Sequence, residues 1–299
     1  MAHFPETADI ETSSDDYARR FDGKVGEWFL KVQEQATLEM LAPYPNATVL
    51  DVGGGHGQLT DGLVRSGCRL TVLGSSEECR ARIQPYVEAG RADFKVGNIL
   101  DMPYPDQAFD VVVSYRLLPH VTRWQEFLAE LARVAKKAVV VDYPEVRSIN
   151  YAAPYLFRFK KQLEGNAREF TCFRERELLR ILNELGFRAA ARFPQFFVPM
   201  VLHRKLKQPG LSAAAERFFR LTGLTGLFGS PVILKVVRGG WGRVGVWGCG
   251  SMGEWENGRM GERENGRTGE GMNGGRGTSN VSRRGRDPAR GGTTLNVQC

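Results

Sequence analysis

Between Lys24 and Leu41 the apolar residues Val25, Trp28, Phe29, Val32 and Ala36 recur every three or four positions, the period of a helix with one buried face, and Pro43 and Pro45 end the segment. The period then changes. Short β-branched runs at Ala47–Val52, Arg69–Leu73, Asp93–Val96, Phe109–Ser114 and Lys137–Tyr143 alternate with amphipathic stretches at Leu59–Val64, Glu77–Val87 and Trp124–Ala135. In the last of these Trp124, Phe127, Leu128, Leu131 and Ala135 share one helical stripe. Strand and helix in alternation predict a mostly parallel sheet.

Past Tyr143 the alternation pauses over a stretch rich in aromatic and basic residues, including Tyr151, Tyr155, Phe157, Arg158, Lys160 and Lys161. Leu178, Leu179, Leu182 and Leu185 then mark a helix stopped by Gly186. A strand at Phe187–Val198, broken at Pro194, a helix around Ala213–Leu221 and a strand at Val232–Val237 complete the pattern. Seven strands result, with the last two free to pair antiparallel. The prediction is an α/β fold.

Composition divides the chain in two. Of its 299 residues 35 are glycine, and 18 of these fall in 239–299 together with three of five tryptophans, so the last 61 residues do not share the pattern of residues 1–238. That tail holds an octapeptide repeat, Gly253 to Met260 and again Gly261 to Thr268, too short and too polar to bury a face, and reads as low-complexity and disordered. It carries nine arginines against six acids, leaving +4 of the formal +7 for residues 1–238. Such a body is only mildly basic, and nucleic acid is not the expected partner. Five cysteines, Cys68, Cys79, Cys172, Cys249 and Cys299, form no CxxC pair, which predicts a reduced compartment and no metal site. No apolar run reaches the ~18 residues of a transmembrane segment, and the acidic, polar start is unlike a signal peptide. A cytoplasmic protein is expected.

Chemistry concentrates in Val49-Leu-Asp51-Val-Gly53-Gly-Gly55-His-Gly57-Gln-Leu59, where a strand delivers the chain to a glycine cluster before a helix. Alone, the turn suits a dinucleotide, a nucleotide or no ligand, but no Lys-Ser/Thr follows it and a Walker loop is excluded. Asp51-x-Gly53-x-Gly55-x-Gly57, Gly97-Asn-Ile-Leu-Asp-Met-Pro-Tyr-Pro-Asp106 and Phe109-Asp-Val-Val-Val-Ser114 together resemble the class I S-adenosylmethionine-dependent methyltransferases, in their type 11, UbiE-like small-molecule group, from about Tyr17 to Arg238.

The resemblance implies a Rossmann-like, seven-stranded, mostly parallel sheet with helices on both faces, and S-adenosyl-L-methionine as cofactor. It implies an N-terminal helical lid segment (1–44) and a methyltransferase domain (45–238) with a substrate-side insert (146–173), ahead of the tail (239–299) that composition sets apart. By the same likeness Asp51 organises the loop around the cofactor's amino group, Gly53 and Gly55 bring backbone close, Asn98 and the backbone of Ile99 meet the adenine edge, and Ser114 lines the methionine end. One departure stands out: the acid that ends the family's second strand and holds the ribose is here Gly74, followed by Ser75. The ribose contact falls to Glu77 or Glu78, or to the serine hydroxyls.

Methyl transfer from a sulfonium needs in-line positioning and, for a phenol or acidic carbon, a base. His120, just after the fourth strand, is either that base or a residue bracing the following helix. Tyr17, Tyr115, Arg116, Tyr151 and Tyr155 form the substrate-side candidates, with Phe193, Phe196, Phe197 and Met200 serving either the acceptor or the core. Ser114-Tyr-Arg-Leu117 in place of Asn/Asp-Pro-Pro-Tyr/Phe or Pro-Cys argues against adenine, glutamine and cytosine acceptors. A small, apolar or aromatic acceptor is expected. The competing reading is a non-catalytic protein using the same fold to bind a partner or nucleic acid.

Overall fold

Each of the five β-branched runs forms a strand: β1 (Thr48–Val52), β2 (Arg69–Gly74), β3 (Ala92–Val96), β4 (Phe109–Ser114) and β5 (Ala135–Tyr143). In this computed structural model, which describes residues 4–148 and 171–239, β6 (Phe187–Pro194) and β7 (Val232–Arg238) complete one sheet of order β3-β2-β1-β4-β5-β7-β6. The first five strands pair in parallel, and β7 runs antiparallel to both β5 and β6. Strand order reverses between β1 and β4, which opens a crevice at their carboxyl ends, the place where open parallel sheets bind ligands.

Before the sheet lie α1 (Ala8–Thr12), α2 (Asp15–Ala18) and α3 (Gly23–Leu41). α4 (Thr60–Arg65), α5 (Gln84–Glu88), α6 (Trp124–Val134) and α7 (Glu175–Glu184) follow, then α8 (Met200–Leu206), α9 (Pro209–Leu221) and α10 (Leu224–Phe228). The single helix expected over Glu77–Val87 is instead a 3-10 turn, Glu77–Arg80, followed by α5. Pro85 sits in the first turn of α5, where its missing amide costs nothing, whereas a continuous helix would place it in the interior. The strand expected to reach Val198 ends at Pro194.

Alternation along the strands sorts the core into two layers. Val49, Val72, Val111, Val113 and Val140 pack under Val25, Phe29, Val32 and Ala36 of α3. Leu50, Val52, Val112, Val139 and Val141 face Phe127, Leu128 and Leu131 of α6 and Leu178 and Leu182 of α7. Burying each large apolar side chain contributes ~1.5–3 kcal/mol, against ~0–1 kcal/mol for an exposed ion pair such as Arg123 with Glu126. The two layers therefore hold the fold. Lys235 of β7 closes α3, its Nζ donating to the Met40 carbonyl at 2.6 Å.

The insert leaves and returns at one point, for Glu145 bridges Phe173 and the Val146 amide donates to the Phe173 carbonyl. Tyr151 and Tyr155, the rest of the insert, and the tail with its repeat lie outside the described residues. Among the described residues no helix is long and apolar enough to cross a membrane.

Candidate functional site

β1 leads into Gly53, whose φ of +75° only glycine adopts without strain. Its amide donates to the Leu73 carbonyl at 2.8 Å, tying the ends of β1 and β2 together. The chain then folds back over Asp51, so closely that a Cβ at Gly54 would stand 2.1 Å from Asp51 Oδ2. Asp51 is fully buried and neither carboxylate oxygen has a hydrogen-bond partner within the described residues. Burial pushes its carboxyl up to about 7. A partnerless buried carboxylate is expensive in an apolar surround, and a ligand ammonium group is the natural remedy. The residues present thus suit an amino-acid-bearing ligand at the glycine turn.

At the end of β2 the structure explains the missing acid. A Cβ at Gly74 would lie 2.7 Å from the Cβ of Cys79 and 3.1 Å from the Phe94 ring, leaving no room for a side chain. Glu77 and Glu78, the expected substitutes, are exposed. A carboxylate does stand at this tip, that of Asp9 on α1, which accepts from the Ser75 amide at 2.6 Å, the Ser75 hydroxyl at 2.5 Å and the Cys79 thiol at 3.4 Å. Sequence reasoning missed Asp9 because it lies outside every motif.

α1 covers the glycine turn. A Cβ at Gly53 would meet the Asp9 Cβ at 3.4 Å, and one at Gly55 would meet Ser13 Oγ at 2.5 Å. Other residues of the same short helix, Ala8, Glu11 and Thr12, line a cavity of about 940 Å³. The helix is a partition between the glycine turn and that cavity.

The cavity gathers most of the expected acceptor-side residues. Tyr17, Arg116 and His120 line it together with Phe21, Phe29 and Tyr143. Arg116 has φ +61°, and its amide donates to Asp142 Oδ1 at 2.6 Å while Nη2 donates to Gln33 Oε1 at 2.6 Å. Its guanidinium lies 3.8 Å from the Phe21 ring centroid, and its charge opposes the burial that raises the Tyr17 hydroxyl. Burial raises the Asp142 carboxyl to about 6 and lowers Arg116. His120 ends the turn Leu118–His120 at the cavity wall.

Other candidates sit elsewhere. Tyr115 is a correction: it is fully buried under α3, its hydroxyl 2.6 Å from Thr37 Oγ1, because one step along β4 from Ser114 turns the side chain to the opposite face. Ser114 is buried, and its hydroxyl donates to the Val52 carbonyl at 2.9 Å, bridging β4 to β1. Asn98 Oδ1 accepts from the Leu100 amide at 3.0 Å, which shapes the turn after β3, and Ile99 packs in the core beside Leu73 and Met102. Phe193 and Phe196 are core residues; Met200 lines the cavity. Among the described residues no group of His, Cys, Asp and Glu is arranged to hold a metal.

Comparison with known proteins places this geometry. A family model described as a methyltransferase domain matches residues 50–141, from β1 through β5. The ubiquinone/menaquinone biosynthesis C-methyltransferase UbiE of Cereibacter sphaeroides is 32% identical over 125 residues, covering 39% of this chain and 50% of that protein. A demethylmenaquinone methyltransferase of Tropheryma whipplei is 27% identical over 198 residues, 58% of this chain and 80% of that one. The chain spans about half the length of the first of these relatives. In three dimensions the magnesium protoporphyrin IX methyltransferase of Synechocystis PCC 6803, solved with bound SAH, superposes with a TM-score of 0.54 at 16% identity, over 78% of this chain and 98% of that one. Residues 50–141 are thus similar to a methyltransferase domain, and they supply β1 to β5 of the sheet.

Proposed function

We propose that the chain transfers a methyl group from S-adenosylmethionine to a small, apolar, aromatic acceptor of the hydroquinone or phenol type. The observation that carries this reading is the pairing of a partnerless buried Asp51 under the glycine turn with an aromatic-lined cavity across α1. The named relatives, two of them quinone-pathway methyltransferases, support the acceptor class.

In this reading α1 withdraws from the glycine turn, Asp51 holds the cofactor's ammonium group, Gly53 and Gly55 admit its chain, the Ser75 amide and hydroxyl, released from Asp9, face the ribose, and Asn98 with the Ile99 backbone meets the adenine. The bound cofactor supplies an electrophilic methyl on a sulfonium. Tyr17 and Arg116 hold the acceptor's oxygen in the cavity, favouring its anionic form. His120 takes the acceptor's proton, as a base within reach of the cavity is needed for a phenol or an acidic ring carbon. Phe21 and Phe29 exclude water from the acceptor ring.

Calorimetric titration with S-adenosylhomocysteine, followed by a radiolabelled methyl-transfer assay on a panel of reduced naphthoquinones and phenols, tests the reading. Micromolar binding and transfer to at least one aromatic acceptor is expected. A chain that binds neither S-adenosylmethionine nor its product would be a non-catalytic scaffold of the same fold.

A further inference from the structure

Every large apolar side chain that is exposed among the described residues lies between Leu202 and Phe228, on α8, α9 and α10. Leu202 and Leu206 stand one turn apart on α8. On α9, Leu211, Phe218 and Leu221 are turned away from the buried Ser212 and Glu216, with Phe218 60% and Leu221 80% exposed. Leu227 and Phe228 continue the patch on α10. A soluble face seldom collects apolar residues in this way without an occupant.

Charge narrows the choice of occupant. Residues 200–228 contain Arg204, Lys205, Lys207, Arg217 and Arg220 but a single acid, Glu216. That acid is spent inward, accepting from the Phe197 and Val198 amides at 2.9 and 2.8 Å and meeting His203 Nε2 at 3.0 Å. Within residues 200–228 the exposed charges, Lys205, Lys207 and Arg217, are all positive. A second copy would bring the same positive face against it. Residues 149–170 hold four bases and two acids, and 240–299 nine arginines and six acids, so neither segment offers complementary charge. Apolar side chains interleaved with bases on short surface helices suit a layer of anionic headgroups over hydrocarbon.

We infer that α8, α9 and α10 dock this protein on an anionic lipid bilayer. The same stretch borders the acceptor cavity, which is lined by Met200, Val201, Arg204 and Lys207. Docking therefore brings this wall of the cavity to the lipid. Combined with the proposed activity, on which this last step alone rests, it makes the acceptor a lipid-borne one that enters from the bilayer.

Sedimentation of the full chain with vesicles tests the docking without cofactor or acceptor, so its failure and a failure of methyl transfer are told apart. Phosphatidylcholine vesicles containing phosphatidylglycerol are compared with phosphatidylcholine alone, for the wild type, Leu221→Ser/Leu227→Ser and Lys205→Glu/Arg217→Glu, with circular dichroism melting to establish that each variant folds. The wild type is expected to bind only the anionic vesicles, and each double variant to lose about tenfold or more of that partitioning. Binding that survives in both folded variants places the membrane contact elsewhere and overturns the inference. So does a wild type that binds no vesicle, whether it forms a dimer that Leu221→Ser/Leu227→Ser dissociates or binds polyglutamate in place of lipid.

Discussion

The Asp9 carboxylate on α1 accepts from both the amide and the hydroxyl of Ser75 at the tip of β2, at 2.6 and 2.5 Å. The N-terminal segment is fixed at further points: Glu6 accepts from the Thr122 and Arg123 amides at 2.9 and 3.1 Å, and Arg82 Nε donates to the Ser13 carbonyl at 3.3 Å. Asp9 and Ser13 stand against the same glycines that a cofactor must approach. On the proposed function, a cofactor entering at this turn meets α1 and displaces it from the glycines.

If the proposed function holds, opening this contact sets cofactor access. Hydrogen bonds to a charged group contribute ~1.5–3 kcal/mol each, and apparent affinity falls with the fraction of open molecules. Asp9→Ala is expected to tighten S-adenosylhomocysteine binding by roughly tenfold or more and to speed association in stopped-flow measurements. A weaker complex would show that the Asp9 carboxylate serves the ribose directly.

Asp51 gives a pH-dependent signature. Its carboxyl titrates at about 7 when folded against an ordinary 3.8, so between those values the folded state keeps a proton that the unfolded state has released. Stability falls as pH rises across that window and levels off above it. Asp51→Asn lacks this cost. Urea melts should find the variant's advantage absent near pH 4 and a few kcal/mol by pH 8. The same variant is expected to bind S-adenosylhomocysteine at least ~10-fold more weakly at pH 8, where the wild-type carboxylate is ionised. A variant with unchanged affinity would remove Asp51 from the cofactor site.

His120→Gln should lower kcat by ~10²–10⁴-fold on a phenolic or hydroquinone acceptor while leaving S-adenosylhomocysteine affinity unaltered. Most of the activity surviving in a folded variant would assign His120 to bracing the start of α6.

Tyr115→Phe separates core from cavity. Thr37 Oγ1 also donates to the Gln33 carbonyl at 2.7 Å, so loss of the tyrosine hydroxyl leaves no buried donor stranded on α3. A loss of about 1 kcal/mol in denaturant melts, with unchanged turnover, is expected. A fall in kcat would return Tyr115 to the acceptor side.

Local patterning was enough to place the strands and the long helices, because the two-residue and 3.6-residue periods are imposed by which face is buried: Val49 and Leu50 go to opposite layers, and Phe127, Leu128 and Leu131 to one. It also marked the glycine turn, since backbone that folds back this closely leaves a composition only glycine satisfies, while Asp51 was singled out by the resemblance. Tertiary structure decided the rest. The one-residue step that hides Tyr115 while leaving Arg116 on the cavity depends on where β4 ends against α3. Asp9 reaches Ser75 across a separation of 66 positions through a helix of five residues, too short for any periodic signal. The apolar, basic face from Leu202 to Phe228 reads in the sequence as ordinary amphipathic helix, and only packing shows which of its apolar residues the core left outside.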